Sequence, residues 1–146
     1  YIPEEILRSS PAPYGRWDNQ SDGPHAWRRS VYVYRRRSLG LPFFDTFDLP
    51  DQNVTAAARN VSTVPTQALT LMNNPFVLRQ AELFAERLKQ TAPSDPRRQI
   101  ELAYEIALTR QPTTAEMVLA RRLVDQQSLV DLAHVMFNLN EFLYIR

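Results

Sequence analysis

At 146 residues the chain is the size of one domain and long enough to bury a core, and its 44% hydrophobic and 23% charged content is ordinary for a globular protein. It has no cysteine, which excludes disulfides and thiolate metal sites, and its net charge of +1 is too small to imply an anionic partner. No apolar run approaches the ~20 residues of a membrane helix, so no membrane insertion is expected. The chain opens on Tyr1 with no secretory leader, which reads as a fragment or a processed product of a longer protein.

Residues 1–27 hold Pro3, Pro11, Pro13 and Pro24 with Gly15 and Gly23, the composition of an irregular arm. Tyr14, Trp17 and Trp27 are too apolar for a free tail, so the arm is expected to lie along the domain or along a neighbour. Arg28 to Arg37 alternates Val31 and Val33 with Tyr32 and Tyr34, the period of a short strand. Arginine and tyrosine together can bind nucleic acid, weakly here. On a nearly neutral chain the preferred reading is a half-buried strand whose arginines pair with Asp45, Asp48 and Asp51, and nucleic acid is not an expected partner. Leu41 to Leu49 suits a short helix opening at Pro42, with Phe43, Phe44 and Phe47 as core anchors. The three aspartates lack the glycine and spacing of a calcium loop, so no metal is expected. Val54 to Arg59 reads as a further helical turn, and Asn53 and Asn60 head N-x-Ser/Thr sequons.

The organising stretch is Arg59 to Phe76. Ser62 and Thr63 can each cap a helix, Pro65 fits its first turn, and Gln67 can reach back to a cap amide. Asn73-Asn74-Pro75 stops that helix, and Asn74 and Pro75 open the next, giving a sharp corner. The run Arg-Asn-Val-Ser-Thr-x-Pro-x-Gln-Ala-Leu-x-Leu-x-Asn-x-Pro-Phe resembles the C-terminal part of a planctomycete PSD-type domain of unknown function. Arg28-Arg29-Ser30-Val31-Tyr32 and Asn138-Leu139-Asn140-Glu141-Phe142-Leu143-Tyr144 fit as well, so the resemblance covers the chain from about Arg28 onward. It rests on Arg28, Arg29, Asp48, Arg59, Asn60, Ser62, Thr63, Pro65, Gln67, Asn74, Pro75, Phe76, Asn138, Asn140, Glu141 and Phe142, in structural or functional roles. The resemblance implies a large exported bacterial protein, often with a cytochrome-c-like domain, and it brings no catalytic residue.

After Pro75 the chain reads as helices in series. Val77, Ala81, Phe84 and Leu88 share one face, and Ile100, Ala103, Tyr104 and Ala107 share the next, behind an Asp95 cap and Pro96. Arg110-Gln111-Pro112 ends that helix. Thr113 to Glu116 is a capping box ahead of Leu119, Ala120, Leu123 and Val124. Ser128 and Asp131 repeat the device for a last helix bearing Leu129, Leu132, Ala133, Met136, Leu139 and Leu143.

Candidate chemistry is sparse. His134 with Asp131 makes half a triad or half a metal site, and a partly buried helix residue is the plainer reading. Glu101 and Glu105 stand one turn apart, as an acid pair or as a solvated face. There is no G-x-S-x-G, no phosphate loop and no haem-attachment motif, so no cofactor is expected. The expected fold is mainly α, a compact array of about five to seven helices with an irregular N-terminal arm (1–27) and one short strand, and 28–146 as a single helical domain. The expected function is a non-catalytic C-terminal module docking on upstream domains of the same chain or on a protein partner. The alternative is part of an enzyme of a carbohydrate-related kind, whose site is completed by upstream sequence. Arg28, Asp48, Arg59, Asn60 and Glu141 lining one cleft would favour the enzyme, and the same residues paired among themselves would favour the scaffold.

Overall fold

The computed structural model describes residues 29–32, 40, 42–51, 53–58 and 62–144. The chain divides into two compact units, Tyr1–Thr63 and Val64–Arg146. The fold is mainly α, and no strand occurs among the described residues.

In the first unit, Ser30–Tyr32 forms a 3-10 turn closed by the Tyr32 amide donating to the Arg29 carbonyl at 3.0 Å. That corrects the strand expected there. Tyr32 is 71% exposed, so it is not the half-buried strand residue foreseen. Arg28, Val33 to Arg37 and the 1–27 arm lie outside the described residues. Helix α1, Pro42–Thr46, opens at Pro42 as its sequence requires. Phe43 meets Phe44 edge-on at 6.0 Å and Phe47 at 5.2 Å, all three half-buried. Beyond it, Asp51 accepts from the Asn53 amide at 2.9 Å, an Asx turn. Val54 to Ala58 is bent and exposed, not the helical turn expected.

Among the described residues the second unit carries six helices: α2 (Pro65–Asn73), α3 (Pro75–Thr91), α4 (Pro96–Leu108), α5 (Thr114–Gln126), α6 (Leu129–Asn138) and α7 (Asn140–Leu143). Four of the first five start at a polar cap: Asn74, Asp95, Thr113 and Ser128 each accept a backbone N–H of the first turn. Helix α6 packs most extensively on α3 and also touches α2, α4, α5 and α7. The core they share includes Ala81, Ala85, Leu88, Ile100, Ala103, Leu132, Ala133 and Met136. The alanines let the helices approach closely. Leu88, Ile100 and Met136 fill the space between, each worth ~1.5–3 kcal/mol of burial. Two expectations fail here. Leu119 is 64% exposed rather than in the core. The last helix breaks at Leu139, whose ψ of 136° is extended, so α7 is a separate turn. Asn138 donates its side chain to the His134 carbonyl at 2.8 Å, and the Leu139 amide tightens onto Met136 at 3.2 Å, ending α6 without a proline.

Candidate functional site

The α2–α3 corner is built as a set of backbone repairs. Val64, not Ser62 or Thr63, occupies the N-cap of α2, and it has no side chain able to cap. Gln67, buried, reaches back with Oε1 to the Val64 amide at 3.5 Å, and Pro65 removes one orphan donor altogether. Asn74 closes one helix and opens the next. Its amide donates to the Thr70 carbonyl at 2.9 Å, and its Oδ1 accepts from the Phe76 amide at 2.9 Å. Its ψ of 125° is the extended geometry that a following proline imposes. The Leu71 carbonyl, exposed by the end of α2, meets His134 Nε2 of α6 at 3.0 Å. A carbonyl can only accept, so Nε2 carries the proton. Asp131 does not orient this histidine: its carboxylate accepts from Ser128 Oγ at 2.5 Å.

Ser62 belongs to the first unit and serves a different end. Asp48 sits in the left-handed region at φ 55°, and its carboxylate accepts from the Ser62 amide at 2.7 Å and from Ser62 Oγ at 2.7 and 2.9 Å. The two residues lie 14 positions apart in the chain. Arg59 and Asn60 fall outside the described residues. Thr63 and Arg29 are exposed.

A second polar centre was not foreseen. Arg110, just past α4, makes five hydrogen bonds, as many as a guanidinium has N–H groups. Nε and one terminal nitrogen grip both oxygens of Glu141 at 2.8 Å. The two terminal nitrogens grip Glu116 at 2.7 and 2.9 Å, and one also reaches the Gln111 carbonyl at 3.1 Å. The guanidinium lies 5.5 Å over the Tyr104 ring. Hydrogen bonds from Arg110, then from the Thr113 amide, hold the Glu116 carboxyl down at about 2. Glu141 first and then Glu116 hold Arg110 above its ordinary value, and burial pushes the Tyr104 phenol up, Glu116 adding to it. Glu116 doubles as the capping-box residue of α5, accepting from the Thr113 amide at 2.7 Å. A signal for this centre lay in the sequence, in an arginine placed six residues before a capping-box glutamate. The Glu141 half, 31 residues away, had none.

Glu101 and Glu105 are not a free acid pair. Arg98 bridges them at 3.3 and 3.1 Å, Arg97 also holds Glu101, and Gln111 donates to Glu105. The remaining motif residues serve the frame: Asn138 ends α6, Asn140 opens α7, and Phe142 meets Phe137 at a tilt, 5.2 Å between ring centroids, while Phe137 stacks on Phe84. Of the five residues whose convergence was the criterion for an enzyme, Asp48 and Glu141 belong to different units and each is bonded within its own. Arg28, Arg59 and Asn60 are outside the described residues. Among the described residues no group of three or more His, Cys, Asp or Glu side chains is arranged to hold a metal ion. No helix among them is long and apolar enough to cross a membrane.

No curated protein and no solved structure matches the chain. The profile of one family, described as PSD1, protein of unknown function (DUF1553), matches residues 4–124. The match begins well upstream of Arg28, where the resemblance had been expected to start, and stops within α5, before Asn138 to Tyr144. Helix α6 lies beyond it yet packs on α2, α3, α4 and α5, so the folded unit extends past the matched segment. With most of its length matched, the chain belongs to the DUF1553 (PSD1) family of proteins of unknown function.

Proposed function

We propose that the helical unit is a non-catalytic docking module of a larger protein, binding other domains of its own parent chain or a protein partner. The observation that carries the reading is how the described motif side chains are used. Ser62, Gln67, Asn74, Asn138 and Glu141 are bonded to helix ends, turns or an arginine, which favours a frame over a reaction centre. In the same motif, Leu69 and Met72 on α2 stand 56% and 55% exposed, as residues of a contact surface do. The export of the parent protein is what the family resemblance implies. Nucleic acid is not among the proposed partners, given a net charge of +1.

The test is a titration of this chain against the separately expressed preceding region of its parent, with a Leu69→Asp/Met72→Asp variant alongside. Both positions are exposed, so the variant is expected to melt like the parent. Micromolar binding by the parent chain, weakened at least tenfold in the variant, is the expected result. No complex at micromolar concentration, or equal binding by the variant, overturns the reading.

A further inference from the structure

Two runs in the first unit carry the acceptor pattern for N-linked glycosylation, Asn53-Val54-Thr55 and Asn60-Val61-Ser62. Such a site needs an asparagine within reach of a large enzyme, and a hydroxyl two residues on that the enzyme can hydrogen-bond. The structure treats the two runs differently.

The first run is presented to solvent. Asn53, Val54 and Thr55 are all exposed, Val54 by 66%, and Ala56 to Ala58 after them are exposed and outside any helix. Asn53 donates its backbone and side-chain amides to Asp51 Oδ1 at 2.9 and 3.1 Å. Both bonds span two residues at the surface, so an enzyme can exchange them for its own without disturbing a helix. The Thr55 hydroxyl makes no hydrogen bond among the described residues. The second run is blocked at its hydroxyl. Ser62 Oγ lies 2.7 and 2.9 Å from the two carboxylate oxygens of Asp48, and the Ser62 amide donates to the same carboxylate at 2.7 Å. An enzyme using Ser62 has to break this charge-assisted contact first. Some transferases also require an acidic residue two places before the asparagine. Asp51 stands there for Asn53, and Ala58 for Asn60.

We propose that Asn53 is the acceptor of an N-linked glycan and that Asn60 is not. The donor class is an oligosaccharide joined through pyrophosphate to a membrane lipid. Asn53 Nδ2 forms a bond to the anomeric carbon and gives up one proton. The bond from that carbon to the pyrophosphate oxygen breaks, and the lipid pyrophosphate leaves. The inference rests on export of the parent protein, which the family resemblance implies, and it is independent of docking through α2.

Trypsin cuts after Arg37, Arg59 and Arg79, which puts Asn53 on the peptide 38–59 and Asn60 on the peptide 60–79, so mass spectrometry reads each site alone. In one arm the purified, folded chain is incubated with an oligosaccharyltransferase that requires only Asn-x-Ser/Thr, together with its lipid-linked donor. One glycan is expected on 38–59, lost in Thr55→Val and kept in Thr55→Ser. A synthetic peptide of residues 57–66 is expected to be modified at Asn60 at least ten times faster than the same asparagine in the folded chain. In the other arm the parent protein is taken from fractions of its own cells, and the exported protein is expected to carry its glycan on 38–59. A folded chain unmodified at Asn53, equal modification of the two asparagines, or an exported parent with a bare Asn53 overturns the inference. A parent found only inside the cell refutes export and the inference together, and the fraction that holds it tells this apart from an exported but bare protein.

Discussion

Arg110 bonds three residues of the helical unit, Gln111, Glu116 and Glu141, and lies over the Tyr104 ring. Its five bonds tie the end of α4 to the start of α5 and to α7. A lysine there offers one ammonium in place of a planar fork, so it cannot hold two carboxylates by both oxygens. Arg110→Lys is expected to lower stability by about 1 kcal/mol, the upper end for pairs this exposed to solvent, as read from urea melts. The pH dependence has a definite sign. Glu116 sits at about 2 in the folded chain against 4.5 ordinarily, so its contribution is complete above about pH 5 and is lost as pH falls toward 2. Glutamine can still serve the capping box. The stability difference between parent and Glu116→Gln is thus expected to shrink steadily between pH 5 and 2, and a constant difference would refute the assignment. Thr109 carries a cost of another kind. It ends α4 at φ 57°, ψ 25°, a region hostile to a β-branched residue. Thr109→Gly is expected to stabilise the chain by about 0.5–1 kcal/mol in the same melts, after allowing for glycine's extra freedom when unfolded.

Among the elements, the α2–α3 corner concentrates the local rules. Asn74 is the C-cap of one helix and the N-cap of the other, with Pro75 preventing a continuous helix through the junction. Asn74→Ala is expected to cost about 1 kcal/mol, as cap losses do, and a thermal melt indistinguishable from the parent's would count against the capping role. Helix α2 is the weaker partner of the pair, since its own N-cap is a valine, with Gln67 and Pro65 making up for the missing cap. Its stability comes from neighbours: Leu71 is buried, and its carbonyl receives His134 from α6.

The helical unit as a whole is closed by α6. Leu129, Leu132, Ala133 and Met136 are all buried, and α6 meets five other helices of the unit. A chain ending at residue 126, close to where the family match stops, would expose the inner faces of α3, α4 and α5 together. It is expected to lose the cooperative melt of the full chain, and a truncated chain that melted at the parent temperature would refute this account of the core. Met136→Ala, which keeps the helix and opens a cavity, is expected to cost about 2–4 kcal/mol in chemical denaturation.

What the sequence determined by itself were the features set within three or four residues. The caps at Asn74, Asp95, Thr113 and Ser128, the prolines that follow three helix caps, and the apolar faces of α3, α4 and α6 were legible because their causes are local. The strand expected around Val31 was misread because alternation predicts a strand only where a partner exists, and at Ser30 to Tyr32 the chain turns instead. Leu119 was placed in the core because a helical period cannot tell which of two apolar stripes meets a neighbour. Ser62 was assigned to a helix start because its competitor, Asp48, lies 14 residues away. Tertiary structure alone decided the Arg110–Glu141 clamp, the meeting of His134 with the Leu71 carbonyl, and the break at Leu139, since each depends on groups that only the packed helices bring within bonding distance.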